Sequence, residues 1–544
     1  MISFPENILF QTRAARSAND WSALVLIAVT KYLAAVLLLL AIGPIIEGQT
    51  NGDLNLSRLA EAASAINDNR LPRAEEILNT VLATAPSDAD ALNLLGVVRA
   101  KQNRPTEAER LFRRALASLP SHVSAHINLA ELLLSNNKAT EALPVLLQAH
   151  KLAPDRAEIN LQLATIFADQ GNYEQAYQYL HLVPREAFTD NYYLLMLRSL
   201  IGLKRMDEVK TLASEFRQSN SAAPETQAEF ALLLARSGFN DEALSILEAA
   251  RQNAPTSFPL LYGLGVVTAA LKQYDKAEEH LTAALAIKPD DVATLRALAR
   301  VARANGNLEK ALSHLVAARR VAPNSAAVLY DFGITALRMD LVLDALPVFE
   351  RLHREYPREP AYLYALAAAH WTKGEAVETA RLMNEYVALQ PRDPSGLYLL
   401  GAALLRQDRI PEAQAALQRS LTLKADPDTE YLLGVTLEKS GNRAAALNTY
   451  RHVVQSRPNH AAAHAALGTA YREAGNLADA RAELEQAIKL DPDDLRANYQ
   501  LGLVYAKLGE QEAAKKMFDR ADELRKRQRD QERVILKLVD APQP

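Results

Sequence analysis

The chain has 544 residues, 49% of them hydrophobic and 6% aromatic, with 20 glycines and no cysteine. The lack of cysteine excludes disulfides and thiolate chemistry, and 61 basic residues against 65 acidic ones leave a formal charge of -4, with no bulk field to gather nucleic acid. So little glycine and aromatic residue also argues against an all-β sandwich.

Residues 1–54 differ from all that follows. Trp21 to Ile46 carries a single charge, Lys31, and is long enough to cross a bilayer. Arg13 and Arg16 precede it, and Glu47 and Asp53 follow. The basic flank is therefore expected to stay in the cytoplasm and the remainder to face outward, within the cell envelope. Two readings share that orientation. The whole stretch can be a signal anchor, or the apolar run Tyr32 to Ile46, with its Gly43-Pro44 breaker and a cut after Gly48, can be a signal peptide.

From residue 55 the chain repeats itself every 34 residues, in fourteen units starting at 55, 89, 123, 157, 190, 224, 258, 292, 326, 360, 394, 427, 461 and 495. The eighth place is glycine or alanine in thirteen units, and Leu197 is the exception. The twentieth place is alanine in twelve, with Val209 and Thr379 departing, and ten units carry proline at the thirty-second place. Apolar residues such as Leu295, Leu298, Ala299 and Ala302 fall on one helical face, and Ala311, Leu315 and Ala318 form a second stripe. Two helices per unit follow. Glycine or asparagine between them, as in "EAGN" at 473–476, turns the chain, and the proline closes the second helix. A helix pair of this size cannot bury its apolar face alone, so successive pairs must stack. The expected divisions are 1–54, a block of four units at 55–189, an irregular unit at 190–223, nine units at 224–528, and a polar tail at 529–544. The signature weakens across 184–226, which reads as a bend or soft joint. The apolar run Val534 to Val539 in the tail is expected to dock back on the last unit.

These residues resemble the tetratricopeptide repeat family across 55–528. The resemblance implies an all-α solenoid of about fourteen stacked helix-turn-helix repeats, forming a right-handed superhelix with a concave groove. It also implies that the second, fifth, ninth, twelfth and thirteenth places face that groove. The fifth place is tyrosine in six units: Tyr262, Tyr330, Tyr364, Tyr398, Tyr431 and Tyr499. Trp371 holds a twelfth place, two turns from Tyr364. Arg296, Arg300 and Arg303 lie at helical spacing, with Arg338 and Arg406 beyond. Tyr, Trp and Arg make large, rigid, hydrogen-bonding contacts and dominate interface hot spots, so these residues are the candidate partner-binding groove. The family's carboxylate clamp needs lysine and asparagine at groove places, and neither pattern is present here.

No nucleophile-base constellation, phosphate loop or HExxH motif is found, so no catalytic, cofactor-binding or metal-binding residue is assigned and no cofactor is expected. The pairs His122 with His126 and His460 with His464 have helical spacing but no third ligand, and read as polar residues at helix starts. Carboxylates after the unit-end proline, such as Asp291 and Asp494, suit the positive end of the next helix. The functional expectation is a non-enzymatic scaffold that binds an extended peptide or protein partner, anchored to the membrane through 21–46 or exported. The alternative is an accessory factor for envelope polysaccharide or for assembly of a secretion complex.

Overall fold

The computed structural model describes residues 51–219 and 222–539, with side chains over 54–219 and 222–527. The apolar stretch 21–46 lies outside the described residues. Among those described, no helix is long and apolar enough to cross a membrane.

The described residues form 28 α-helices and one short 3-10 turn, with no strand. The first helices of the units begin at Ala89, Val123, Ala157, Asp190, Pro224, Phe258, Val292, Ala326, Pro360, Pro394, Pro427, Ala461 and Leu495, each at the first residue of a repeat, and only the earliest starts early, at Asn51. Several of their starts are capped by a side-chain acceptor, although Ser257 and Ser325 stand at the same place without capping. Asp291 Oδ2 accepts from the Thr294 amide at 2.7 Å and Asp494 Oδ1 from the Ala497 amide at 2.9 Å. Satisfying these otherwise orphaned donors contributes about 1 kcal/mol per helix.

Between the two helices of every unit, the fifteenth residue adopts a left-handed backbone. Glycine fills it at Gly171, Gly238, Gly306, Gly374, Gly441, Gly475 and Gly509, and Asn69, Asn103, Asn137, Lys204, Lys272, Asp340 and Asp408 hold φ of 58–61°. The amide of the residue that follows can then reach back to a carbonyl of the last turn, as Asn442 N does to Leu437 O at 2.9 Å.

The crossing of the two helices explains the eighth place. A Cβ added at Gly96 would lie 2.5 Å from the Phe112 ring, one at Gly333 2.6 Å from Phe349, and one at Gly401 2.6 Å from Leu417. The large residue comes sixteen positions later, on the second helix of the same unit. Where the eighth place is alanine, that position holds a residue without an aromatic ring: Leu146 for Ala130, Leu180 for Ala164, Leu247 for Ala231 and Met383 for Ala367, all fully buried. Leu197 is also fully buried, and the facing place holds Ala213, which is small. The exception thus reverses the sizes of the pair and keeps their sum.

The weak stretch 184–226 has its own construction. The second helix of the unit leading into it, Tyr173–His181, has only 9 residues and gives way to the 3-10 turn Arg185–Ala187. Phe188 stands where other units have proline, and its ring stacks on Tyr192 at 3.7 Å. Phe216 stacks on Phe230 at 4.0 Å, and a single apolar core runs through the segment from Ala108 to Val267. The chain divides into two compact units elsewhere, between Asn305 and Gly306.

The last helix runs unbroken from Gln511 to Val539, 29 residues against the 14 of Leu495–Leu508, on which it packs. Its final turns continue past the end of that partner, and the run Val534 to Val539 extends the helix instead of folding back.

Candidate functional site

Within each compact unit the first helices of neighbouring repeats touch one another, as 224–236 touches 258–270 and 360–372 touches 326–338. Most second helices pack on the first helices beside them rather than on one another. The first helices therefore form the closely packed inner wall, and their solvent-facing residues are the candidate surface.

In residues 306–539 three successive fifth-place tyrosines come together. Tyr364 is only 5% exposed and packs edge to face on Tyr386, with centroids 5.3 Å apart. Burial pushes its hydroxyl above the usual range, reinforced by Asp393 and by the neighbouring Tyr398 and Tyr330. Tyr364 is thus part of the wall's support, whereas Tyr330 and Tyr398 are half-buried beside it. Tyr330 also meets Tyr362 at 5.5 Å. Beneath them the Tyr386 hydroxyl donates to Asp393 Oδ2 at 2.7 Å, and the same carboxylate caps the next helix through the Ser395 and Gly396 amides. Tyr362, Tyr386 and Asp393 were not singled out from the sequence. The signal for Tyr386 was Gly396, whose added Cβ would sit 2.5 Å from that ring.

Trp371 is half-buried, and the exposed Arg406 of the following unit lies over its ring, 4.4 Å from the centroid. A cation held on an indole face is a preformed, partly desolvated platform. Arg338 is exposed. Further along, Tyr431 is half-buried against Tyr450 and His460, at 6.0 and 5.1 Å. Tyr499 is 41% exposed and lies 5.6 Å from Phe518.

In residues 51–305 the wall differs. Tyr262, Arg296, Arg300 and Arg303 are half-buried. Nearer the beginning of the unit Asn128 Nδ2 donates to Asn93 Oδ1 at 2.8 Å, and Gln162 Nε2 donates to Glu131 Oε1 at 3.2 Å. Burial, followed by the charge of Glu158, pushes the Glu131 carboxyl up to about 8. The two acids belong to neighbouring units at ninth and second places, and no motif within either unit marks them.

The histidine pairs serve the helix starts. His122 Nδ1 accepts from the Ala125 amide at 3.2 Å and its Nε2 lies 3.1 Å from Asp90, while His126 Nε2 reaches the Pro120 carbonyl at 2.9 Å. His460 and His464 repeat the arrangement, with His464 Nε2 2.9 Å from the Pro458 carbonyl. Among the described residues no group of His, Asp and Glu is placed to hold a metal.

Comparison with known families settles what kind of chain this is. Models described as "Tetratricopeptide repeat" match residues 59–123, 99–157, 133–201, 234–301, 268–331, 330–394, 394–419, 437–487 and 495–528, and one described as "TPR repeat" matches 468–509. The chain belongs to the tetratricopeptide repeat family. Tetratricopeptide repeat proteins bind protein partners. No curated protein matches the chain. Solved structures similar to this tetratricopeptide repeat protein include the APC/C hetero-tetramer Cut9-Hcn1, at 16% identity, over 81% of this chain and 95% of that one, with a TM-score of 0.41. Yeast Tom70 matches at 15% identity over 84% and 99% of the two chains, TM-score 0.35. YrrB, titled a TPR protein with an unusual peptide-binding site, matches at 21% identity over 32% and 91%, TM-score 0.27.

Proposed function

We propose that the chain is a non-enzymatic scaffold that holds an extended segment of a protein partner against the first-helix wall of residues 306–539. The observation that carries this reading is the half-buried Trp371 with Arg406 over its ring, on the same first-helix wall as the half-buried Tyr330 and Tyr398. Aromatic and arginine side chains fixed by their own packing lose little entropy when a partner arrives, which is the character of an interface anchor. The outward-facing envelope location is part of the same proposal and rests on the arginine-flanked stretch 21–46.

The test begins with crosslinking in cells to identify the partner, followed by titration of that partner against the full chain and Trp371→Ala. Affinity is expected to fall by about 2 kcal/mol, roughly thirtyfold, with the melting temperature unchanged. A large drop in melting temperature with intact affinity would make Trp371 a core residue and remove the anchor. Selective capture of a polysaccharide would replace the partner class.

A further inference from the structure

The first two units enclose a cavity of about 230 Å³ between their second helices, Leu71–Thr84 and Pro105–Ser118, away from the first-helix wall. Leu95 and Leu111, both buried, line its floor, and Asn79, Arg110 and Arg114, all exposed, line its rim. Arg99 and Glu107 also line it, as parts of a network that uses up its own charge. Arg99 Nη1 lies 2.7 Å from Glu75 Oε2 and Arg99 Nε 3.1 Å from Glu107 Oε2, while Arg104 Nε lies 3.7 Å from the other Glu107 oxygen. The hydrogen bond from Arg99 holds the Glu75 carboxyl down at about 2, so two carboxylates and two guanidiniums cancel at neutral pH. Arg110 and Arg114 are left over. They stand four residues apart on one helix face, where like charges repel. Arg114 Nη2 donates to the Pro86 carbonyl at 3.1 Å, and among the described residues neither guanidinium meets a carboxylate.

We propose that this cavity binds a phosphomonoester, its oxygens taken by Arg110, Arg114 and Asn79 and its carbon stem resting on Leu95 and Leu111. The phosphoryl group carries about -1.5 to -2 charges at neutral pH and offers three acceptor oxygens, which match two guanidinium forks and one amide donor. A single carboxylate would leave one of the two arginines without a counter-charge, and inorganic phosphate has no stem for the apolar floor. The cavity lies in the compact unit that does not contain Trp371, and the proposal stands independently of the scaffold reading.

The experiment uses the full chain and a fluorescein-labelled Gly-Ser peptide bearing one phosphoserine, beside the same peptide with serine or glutamate in its place. The phosphoserine peptide should raise the anisotropy, the glutamate peptide should bind about tenfold more weakly, and the serine peptide should not bind. Arg110→Gln and Arg114→Gln should each weaken binding about tenfold or more, the scale of a charge-assisted hydrogen bond, with the melting temperature unchanged because both side chains are exposed. Arg113→Gln, on the same helix but paired with Glu109, removes the same charge outside the cavity and should leave the affinity as it was. Glucose 6-phosphate and inorganic phosphate are added as competitors. Displacement by glucose 6-phosphate would extend the ligand class to free sugar phosphates, and its failure would confine the ester to a phosphorylated side chain. Equal binding of the serine peptide, affinity indifferent to both arginine variants, or inorganic phosphate competing as strongly as the ester would each overturn the proposal. The two readings fail separately: partner affinity indifferent to Trp371→Ala removes the anchor, whereas this inference falls only on the phosphoserine series.

Discussion

The size matching at the helix crossing makes a sharp demand on Gly333. A methyl group there would meet the Phe349 ring at 2.6, 2.7 and 3.2 Å, well inside contact distance, and Phe349 is fully buried with no room to swing away. Overpacking of this kind costs about 1–3 kcal/mol, and replacing glycine by alanine inside a helix returns about 1 kcal/mol through backbone entropy. Gly333→Ala is therefore expected to destabilise residues 326–355 by up to about 2 kcal/mol. Phe349→Leu alone leaves a small void and costs a similar amount. The double variant recreates the alanine-leucine pair that Ala130 and Leu146 already use, and should come within about 0.5 kcal/mol of the parent, a coupling of about 2 kcal/mol. Because an array of repeats need not unfold in one step, the assay is hydrogen exchange of the helices Ala326–Arg338 and Val342–Glu355 beside a denaturant melt. A double variant no better than the worse single one would refute the size-matching argument.

Glu131 predicts a pH dependence. Its carboxyl is raised to about 8 when folded, so the folded chain retains a proton that the unfolded chain releases at ordinary carboxylate pH. That contribution is fully present below the unfolded value and is lost as pH rises through the folded one, so protection of Val123–Ser135 and Ala157–Asp169, taken relative to the intrinsic exchange rate at each pH, should fall between about pH 4.5 and 8. Glu131→Gln should flatten this trend, and an unaltered profile would refute it. At the left-handed turn Lys272, with φ of 60°, Lys272→Gly should raise stability by about 0.5–1 kcal/mol in a denaturant melt, because only the lysine strains there. A loss of stability would contradict that account.

The repeat period was legible because each structural role recurs, so the eighth place and the turn residue could be compared fourteen times along one chain. Glycine and asparagine between the helices announced a left-handed turn, and Asp291 and Asp494 announced their caps. What escaped notice depended on pairs. Leu197 looked like a defect when considered alone, and only the facing position shows that Ala213 complements it. Tyr364 and Tyr499 occupy the same place in their units, yet one is buried and the other open, because the bulk of Tyr386 and of the neighbouring tyrosines decides it. Glu131 and Glu158 meet across a unit boundary, where no period within a single unit would draw them together.

The close crossings have one further consequence. Both members of each matched pair lie on a single hairpin, sixteen residues apart, so an error of size can be corrected locally and need not disturb the next hairpin. A duplicated unit carries its own lock with it. Such an array can lengthen or diversify one module at a time, and the residues on its inner wall are left free to change with the partner.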